Sequence, residues 1–236
     1  MTTPTPTEFD RDNLNDDVMR MRTLWVNELV GDSYPSHCGQ KNAPEILQYN
    51  DEMVSEMLEQ IRNQQEYVHS VYEDREHLTE EKSFVNKLYQ MEIDRLRYMV
   101  SSYLRTRLHK VNMLSFPCHS RPIEKYAIHI LDNAVLTQRL SDKERHFAQQ
   151  FVMLYESHVN DLALSKFEEE HRSLTAEEMV PKPNLDTFVF CQGKIAGGVQ
   201  CDDKGANFVQ VTSADRYVLR YRSVQEHVAS GAIELI

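Results

Sequence analysis

One apolar stripe constrains this chain more than any other feature. Tyr89, Ile93, Leu96, Val100, Leu104, Leu108 and Val111 recur at steps of 4, 3, 4, 4, 4 and 3, the period of one helix face. Residues 90–111, QMEIDRLRYMVSSYLRTRLHKV, contain neither glycine nor proline. A single helix over 80–113 spans about 50 Å. A compact helical domain of ~170 residues is only roughly 40 Å across. Met91, Tyr98, Met99 and Tyr103 widen the apolar surface beyond what one antiparallel neighbour covers. The pattern predicts a long helix that protrudes and needs a partner helix pair.

Other segments support a helical N-terminal region. Asn15 is a good N-cap, and Val18, Met21, Trp25 and Leu29 fall on one face of the helix it would start. A second helix is expected from Asn42, where Asn42 and Glu45 have capping-box spacing and Pro44 sits in the first turn, where proline is tolerated. Val54, Met57, Ile61, Gln64, Val68 and Val71 then step by 3, 4, 3, 4, 3, a coiled-coil-like seam. The charged run 73–82 reads as the turn into the long helix. A short helix is expected within 126–136. Ser141 and Glu144 form a capping box for a further helix carrying Phe147, Phe151, Leu154, His158 and Leu162 on its apolar face. The lone His158 reads there as a core residue.

The character changes after that helix. Residues 167–186 are acidic and broken by Pro181 and Pro183, as in an interdomain linker. FVF, FVQV, YVLRYR and AIELI are short β-rich runs. Residues 193–198, GKIAGG, read as a hairpin turn. SVQEHVASG has a capping box at Ser223 and Glu226 and a stop at Gly231. The terminal Leu235 and Ile236 are expected to dock, because an apolar end does not fray freely into water. The fold class is therefore α+β, an N-terminal all-α domain of long packed helices followed by a small β-rich C-terminal domain. The expected boundaries are a flexible tail over 1–14, a helical A domain over 15–166, the linker over 167–186 and a B domain over 187–236.

Charge and chemistry exclude several classes. The formal net charge of −11 opposes a general binder of nucleic acid or anionic membrane, whose affinity comes from neutralising phosphate. No stretch approaches the ~20 apolar residues of a membrane helix, and the start lacks the pattern of a signal peptide. Cys38, Cys118, Cys191 and Cys201 are scattered without a CxxC pair, which reads as free thiols in a reducing compartment. His37 with Cys38 and Cys118 with His119 lack zinc-site spacing. No nucleophile elbow, P-loop or HExxH occurs. Glu80–Glu81 and Asp202–Asp203 sit in polar contexts that do not raise a carboxylate pKa. The expectation is a non-enzyme with no cofactor and no metal.

The long helix itself carries Arg95, Arg97, Arg105, Arg107 and Lys110 against Glu92 and Asp94, five minus two, or +3. Three readings compete: a solvated back, a basic nucleic-acid face with Tyr98 and Tyr103 for stacking, and a protein interface, where Arg, Tyr and Met are enriched.

The stretch QMEIDRLRYMVSSYLRTRLHKV closely resembles the long-helix signature of the Sld-five subunit family of the GINS complex of eukaryotic DNA replication. VPKPNLDTFVF over 180–190 resembles that family's entry into its β domain, and LRYRSVQEHVASGAIELI over 219–236 resembles its C-terminal end. The resemblance implies a non-catalytic scaffold subunit of a heterotetramer with three Psf-type subunits. It implies association, through the assembled complex, with the Cdc-forty-five protein and the MCM motor in the replicative helicase. It also implies a nuclear, chromatin-associated location, DNA contact that is at most indirect or weak, and no membrane. Arg95, Arg97, Tyr98, Tyr103, Leu104, Arg105 and Arg107 match the helix motif. Val228, Leu235 and Ile236 match the terminal motif. The alternative function is a helical nucleic-acid-binding module using the basic face over 95–110.

Overall fold

A computed structural model describes residues 8–29, 43–73, 79–111, 126–167, 180, 182–201 and 208–236. The His37–Cys38 and Cys118–His119 pairs, the run 74–78 and most of the expected linker lie outside the described residues. The helices are α1 (Glu8–Glu28), α2 (Asp51–Glu73), α3 (Glu80–Val111), α4 (Tyr126–Asp132), α5 (Ala134–Gln138), α6 (Asp142–Leu162) and α7 (Tyr221–Ala229). The strands are β1 (Phe188–Gly193), β2 (Gly197–Gln200), β3 (Phe208–Val211), β4 (Arg216–Arg220) and β5 (Ile233–Leu235). Helices come first and a small antiparallel β region follows, the expected α+β class.

Several starts differ from expectation. α1 begins at Glu8, seven residues before Asn15. A single Asn inside a helix costs well under about 1 kcal/mol, so it need not act as a cap. α2 begins at Asp51, and Asn50 caps it by accepting from the Met53 N–H at 3.0 Å. Residues 43–50 are not helical. Their carbonyls are taken instead: Lys110 Nζ donates to Glu45 O at 3.0 Å, Arg139 to Ile46 O at 3.0 Å, and Arg107 to Leu47 O at 2.8 Å. These side-chain donors satisfy the carbonyls of a segment that makes no helical ladder.

The chain divides into two compact units. The first comprises Met1–Val26 and Asn50–Leu104, in which segments of α1, α2 and α3 supply the buried side chains. Val18 and Met21 of α1, Val54, Met57, Ile61 and Val68 of α2, and Ile93, Leu96, Val100 and Tyr103 of α3 are all buried. The α2 seam follows its expected spacing. Asn86 is buried and donates to Val68 O at 3.0 Å.

The inward face of α3 departs from the apolar reading in a regular way. Ile93, Leu96, Val100, Tyr103, Arg107 and Lys110 are buried, whereas Leu104 is half-buried and Leu108 is 37% exposed. These six step by 3, 4, 3, 4, 3, a heptad spacing, with Met99 and Val111 buried beside them. The apolar stripe leaves this seam after Val100, where Tyr103 turns inward in place of Leu104 and Arg107 in place of Leu108, and it rejoins the interior at Val111.

The second unit comprises Asn27–Tyr49 and Arg105–Ile236. Its helical core joins Ile46, Val111, Ala127, Ile130, Leu136, Leu140 and Ala148. The capping box at Ser141 is present: its side chain accepts from the Glu144 N–H, and Glu144 accepts from the Ser141 N–H. The inward face of α6 is set by Glu144 and Ala148, both buried. Leu154 and Leu162 are 71% and 61% exposed, and His158 is exposed rather than core. Turning Glu144 inward rotates the expected stripe toward solvent.

The β region of this unit has two sheets, one in the order β4-β1-β5 and one pairing β2 with β3, all antiparallel. Residues 193–198 therefore join two different sheets and are not a hairpin turn. At the end of β1, a Cβ on Gly193 would stand 2.4 Å from Thr212 O, so only glycine permits that approach. α7 starts at Tyr221, without a side-chain cap, so the expected Ser223–Glu226 box does not form. Its first N–H groups are satisfied by the chain entering β1, Tyr221 N–H by Thr187 O at 2.9 Å and Arg222 N–H by Leu185 O at 3.0 Å. The helix ends in a Schellman motif: Gly231 at φ +76°, Ala232 N–H on His227 O and Gly231 N–H on Val228 O.

Candidate protein interface

The motif residues separate into outward and inward groups. Arg95 is exposed and forms a forked pair with Glu92, its Nε–H donating at 2.9 Å. That hydrogen bond raises the guanidinium pKa further. Arg97 is exposed, 3.8 Å from Asp94, and donates to Gln65 at 3.3 Å. Tyr98 is 63% exposed, with its ring edge-on to Trp25 at 6.2 Å. Trp25 donates in turn to Ser102 Oγ at 3.0 Å. Arg105 is exposed and Ile236 is 37% exposed. Tyr103, Arg107, Val228 and Leu235 are buried inside this chain, and Leu104 is half-buried.

Arg107 lies at the centre of a charge cluster within the second unit. Its side chain has no solvent exposure. Nε donates to Glu144 Oε1 at 2.7 Å, and Nη2 donates to Glu144 Oε2 and Arg139 O, both at 3.0 Å. Nη1 donates to Glu28 Oε2 at 3.3 Å and Leu47 O at 2.8 Å. All five guanidinium N–H groups are thus used, and the Tyr49 ring lies 5.2 Å from the guanidinium carbon. Lys110 donates to Glu28 Oε1 at 2.9 Å. Burial lowers the Lys110 pKa, against the pull of Glu28. Arg139 pairs with Glu45 at 2.9 Å. Three cations, Arg107, Lys110 and Arg139, therefore meet three carboxylates, Glu28, Glu45 and Glu144.

The cluster reaches the β region. Glu45 accepts from Tyr221 OH at 3.0 Å and from Gln225 Nε2 at 2.6 Å. Burial, then Glu45, pushes the Tyr221 phenol well above its usual value. Nearby, the Leu235 N–H donates to Asn27 Oδ1 at 2.9 Å, and Leu235 is 1% exposed. The terminal strand is docked, as its composition predicts.

Two of the five cations assigned to a basic face are thus interior and neutralised. The exposed remainder of that stretch is Arg95, Arg97 and Arg105 against Glu92 and Asp94, three minus two, or +1. So small a charge gives phosphate little to bind. The partners of Arg107 were missed in the sequence, yet a signal exists. Glu28 continues the α1 steps 18, 21, 25, and Glu144 begins the α6 steps 144, 148, 151. A charge in phase with an apolar period marks an interior ion pair.

Apolar surface is left uncovered on both units. On the first, Phe84, Val85, Leu88, Met91 and Tyr67 are 45–68% exposed. On the second, Met153, Leu154, Leu162 and Val135 are 61–71% exposed. Exposed patches of this kind mark interaction surfaces. Among the described residues no cluster of three or more His, Cys, Asp or Glu could hold a metal, and no helix is long and apolar enough to cross a membrane.

Comparison with known proteins agrees with this picture. A family model described as the GINS complex protein helical bundle domain matches residues 49–163, and one described as the DNA replication complex GINS protein SLD5 C-terminus matches 183–236. The chain is 31% identical to the DNA replication complex GINS protein SLD5 of Arabidopsis thaliana, over 93% of this chain and 91% of that protein. It is 29% identical to the SLD5 proteins of Xenopus laevis and Homo sapiens, over 93% of this chain and 89% and 88% of theirs.

Proposed function

This chain belongs to the SLD5 family of DNA replication complex GINS proteins, and from that premise we propose that it is a non-catalytic scaffold subunit of a four-subunit GINS assembly. Its partners are three Psf-type subunits. Through the assembled complex it supports the replicative helicase, with the Cdc-forty-five protein and the MCM motor supplying the rest. It works in the nucleus on replicating chromatin, and its contact with DNA is indirect or weak. The helical A domain over 15–166 and the B domain over 187–236, joined by 167–186, are the working parts of this scaffold.

The observation that carries the reading is the contrast between satisfied charges inside and uncovered apolar side chains outside. Phe84, Met91, Leu154 and Leu162 are each more than 60% exposed, which favours burial against another chain. Co-expression with Psf-type subunits tests it. The expected result is a complex of defined mass in native mass spectrometry, with self-association of the isolated chain relieved. A stable, monodisperse monomer that takes up no partner overturns the proposal.

A further inference from the structure

The outer face of the three-stranded sheet has the wrong composition for solvent. Antiparallel sheets with one wet face alternate apolar-in and polar-out. β1 instead reads Phe188, Val189, Phe190, Cys191, apolar on both sides. Val189 and Cys191 enter the core with Val224 and Val228 of α7. Phe188 and Phe190 point the other way and are 51% and 38% exposed.

Register assembles these side chains into rows. Phe190 pairs with Val218, which is 52% exposed. On the other side of β1, Ile236 N–H donates to Phe190 O, and Ile236 is 37% exposed. Val218, Phe190 and Ile236 thus make one apolar row across the sheet. Beside it, Phe188 pairs with Arg220, whose guanidinium carbon stands 5.7 Å from the Phe188 ring centre. On the far side, Gln192 pairs with Arg216 on one strand and Glu234 on the other. Glu234 bonds Lys194 at 2.9 Å, and Arg222 bonds Asp186 at 3.2 Å. Arg216 and Arg220 have no carboxylate partner among the described residues. In a chain of net charge −11, an apolar centre between two unneutralised arginines is a local exception.

We propose that this sheet face docks an acidic amphipathic helix of another subunit of the assembly. The proposal rests on the scaffold reading for the source of that helix. The two arginines are four residues apart on one strand, so their backbones lie about 13 Å apart. A helix laid along β4 and β1 presents positions i, i+3, i+4 and i+7 on one stripe, the outer two about 10.5 Å apart. The pattern that fits is a carboxylate at i, apolar residues at i+3 and i+4, and a carboxylate at i+7. The apolar pair covers Phe190 and Val218, and the acids meet Arg220 and Arg216. Nucleic acid is the less suitable occupant, because the chain as a whole repels phosphate.

The test uses the full chain co-expressed with the other GINS subunits. Hydroxyl-radical footprinting of Phe188 and Phe190 is compared between free chain and assembly, with native mass spectrometry on the same samples. Protection of both rings in the assembly is expected. The double variant Arg216→Glu with Arg220→Glu, checked for an unchanged circular dichroism spectrum, should weaken association about tenfold or more. Lysines at both acidic positions of the partner helix should restore it. An assembly of correct mass with both rings still labelled overturns this inference and leaves the scaffold reading standing. Failure to assemble at all overturns both. Protection of the rings in a dimer of this chain, or by a single-stranded oligonucleotide, also overturns it.

Discussion

α3 carries the same residue type into two opposite situations ten residues apart. Arg97 stands in solvent and has Asp94, three residues away, as its acidic neighbour. Arg107 is fully buried and reaches Glu144 and Glu28, 37 and 79 residues away. The first arrangement is local, screened and worth little. The second removes five charges from water, two cations and three carboxylates, with Arg139 at its edge, and stands only because nearly every hydrogen-bonding site is filled. The difference teaches that a motif of evenly spread arginines is not one surface. Arg95, Arg97 and Arg105 face out, whereas Arg107 and Lys110 hold together Glu28, residues 45–47 and α6, and Glu45 carries the link on to the β region.

Deleting the central guanidinium should break this contrast most severely. Arg107→Ala strands Glu144 and Glu28 in the interior, with an expected loss of about 3–5 kcal/mol in chemical denaturation. Arg107→Lys should recover little, because one ammonium cannot reproduce the five-donor fork. An Arg107→Ala protein as stable as the parent would show that the cluster contributes nothing. Glu45→Ala comes next, at about 3 kcal/mol, since it unpairs Arg139, Tyr221 and Gln225 together. Its distinguishing readout is faster amide exchange in α7 and β5, with α2 unchanged.

A smaller loss is expected at alkaline pH. Burial, with Cys201 nearby, pushes the Cys191 thiol up to about 11, and burial with Glu45 raises the Tyr221 phenol. Both groups stay protonated in the fold when the unfolded chain ionises them. The native state then binds more protons, so stability falls as pH rises. It should be intact below about pH 8.5, the ordinary thiol value, and decline toward 11. Thermal melts at pH 8 and 10.5 measure this, and Cys191→Ala with Tyr221→Phe should flatten the slope. The smallest effect belongs to the exposed arginines of α3. Arg95→Ala should cost less than about 1 kcal/mol and less still in high salt; a larger loss would mean that the outward arginines share the inward role.

Much of this was legible beforehand. The α2 seam, the Ser141–Glu144 box, the Gly231 stop and the docked terminus all follow local rules of period and capping. What escaped was set by distant partners. α2 starts at Asp51, where Asn50 caps it, while the carbonyls of Glu45, Ile46 and Leu47 are satisfied by the side chains of Lys110, Arg139 and Arg107 from distant segments. α6 turned because Glu144 serves Arg107. Leu104 and Leu108 left the seam because Tyr103 and Arg107 occupy it.

The amino-acid sequence by itself determined the class of fold, the long central helix, the change to strands near 187 and the family. These rest on periodicity and on turn and cap chemistry, which act over a few residues. Only tertiary structure decided which face of α6 and of the last turns of α3 is inside, and which arginines are free to meet another chain. That choice depends on a buried charge finding its complement, and the complements of Arg107 lie on other segments of the chain.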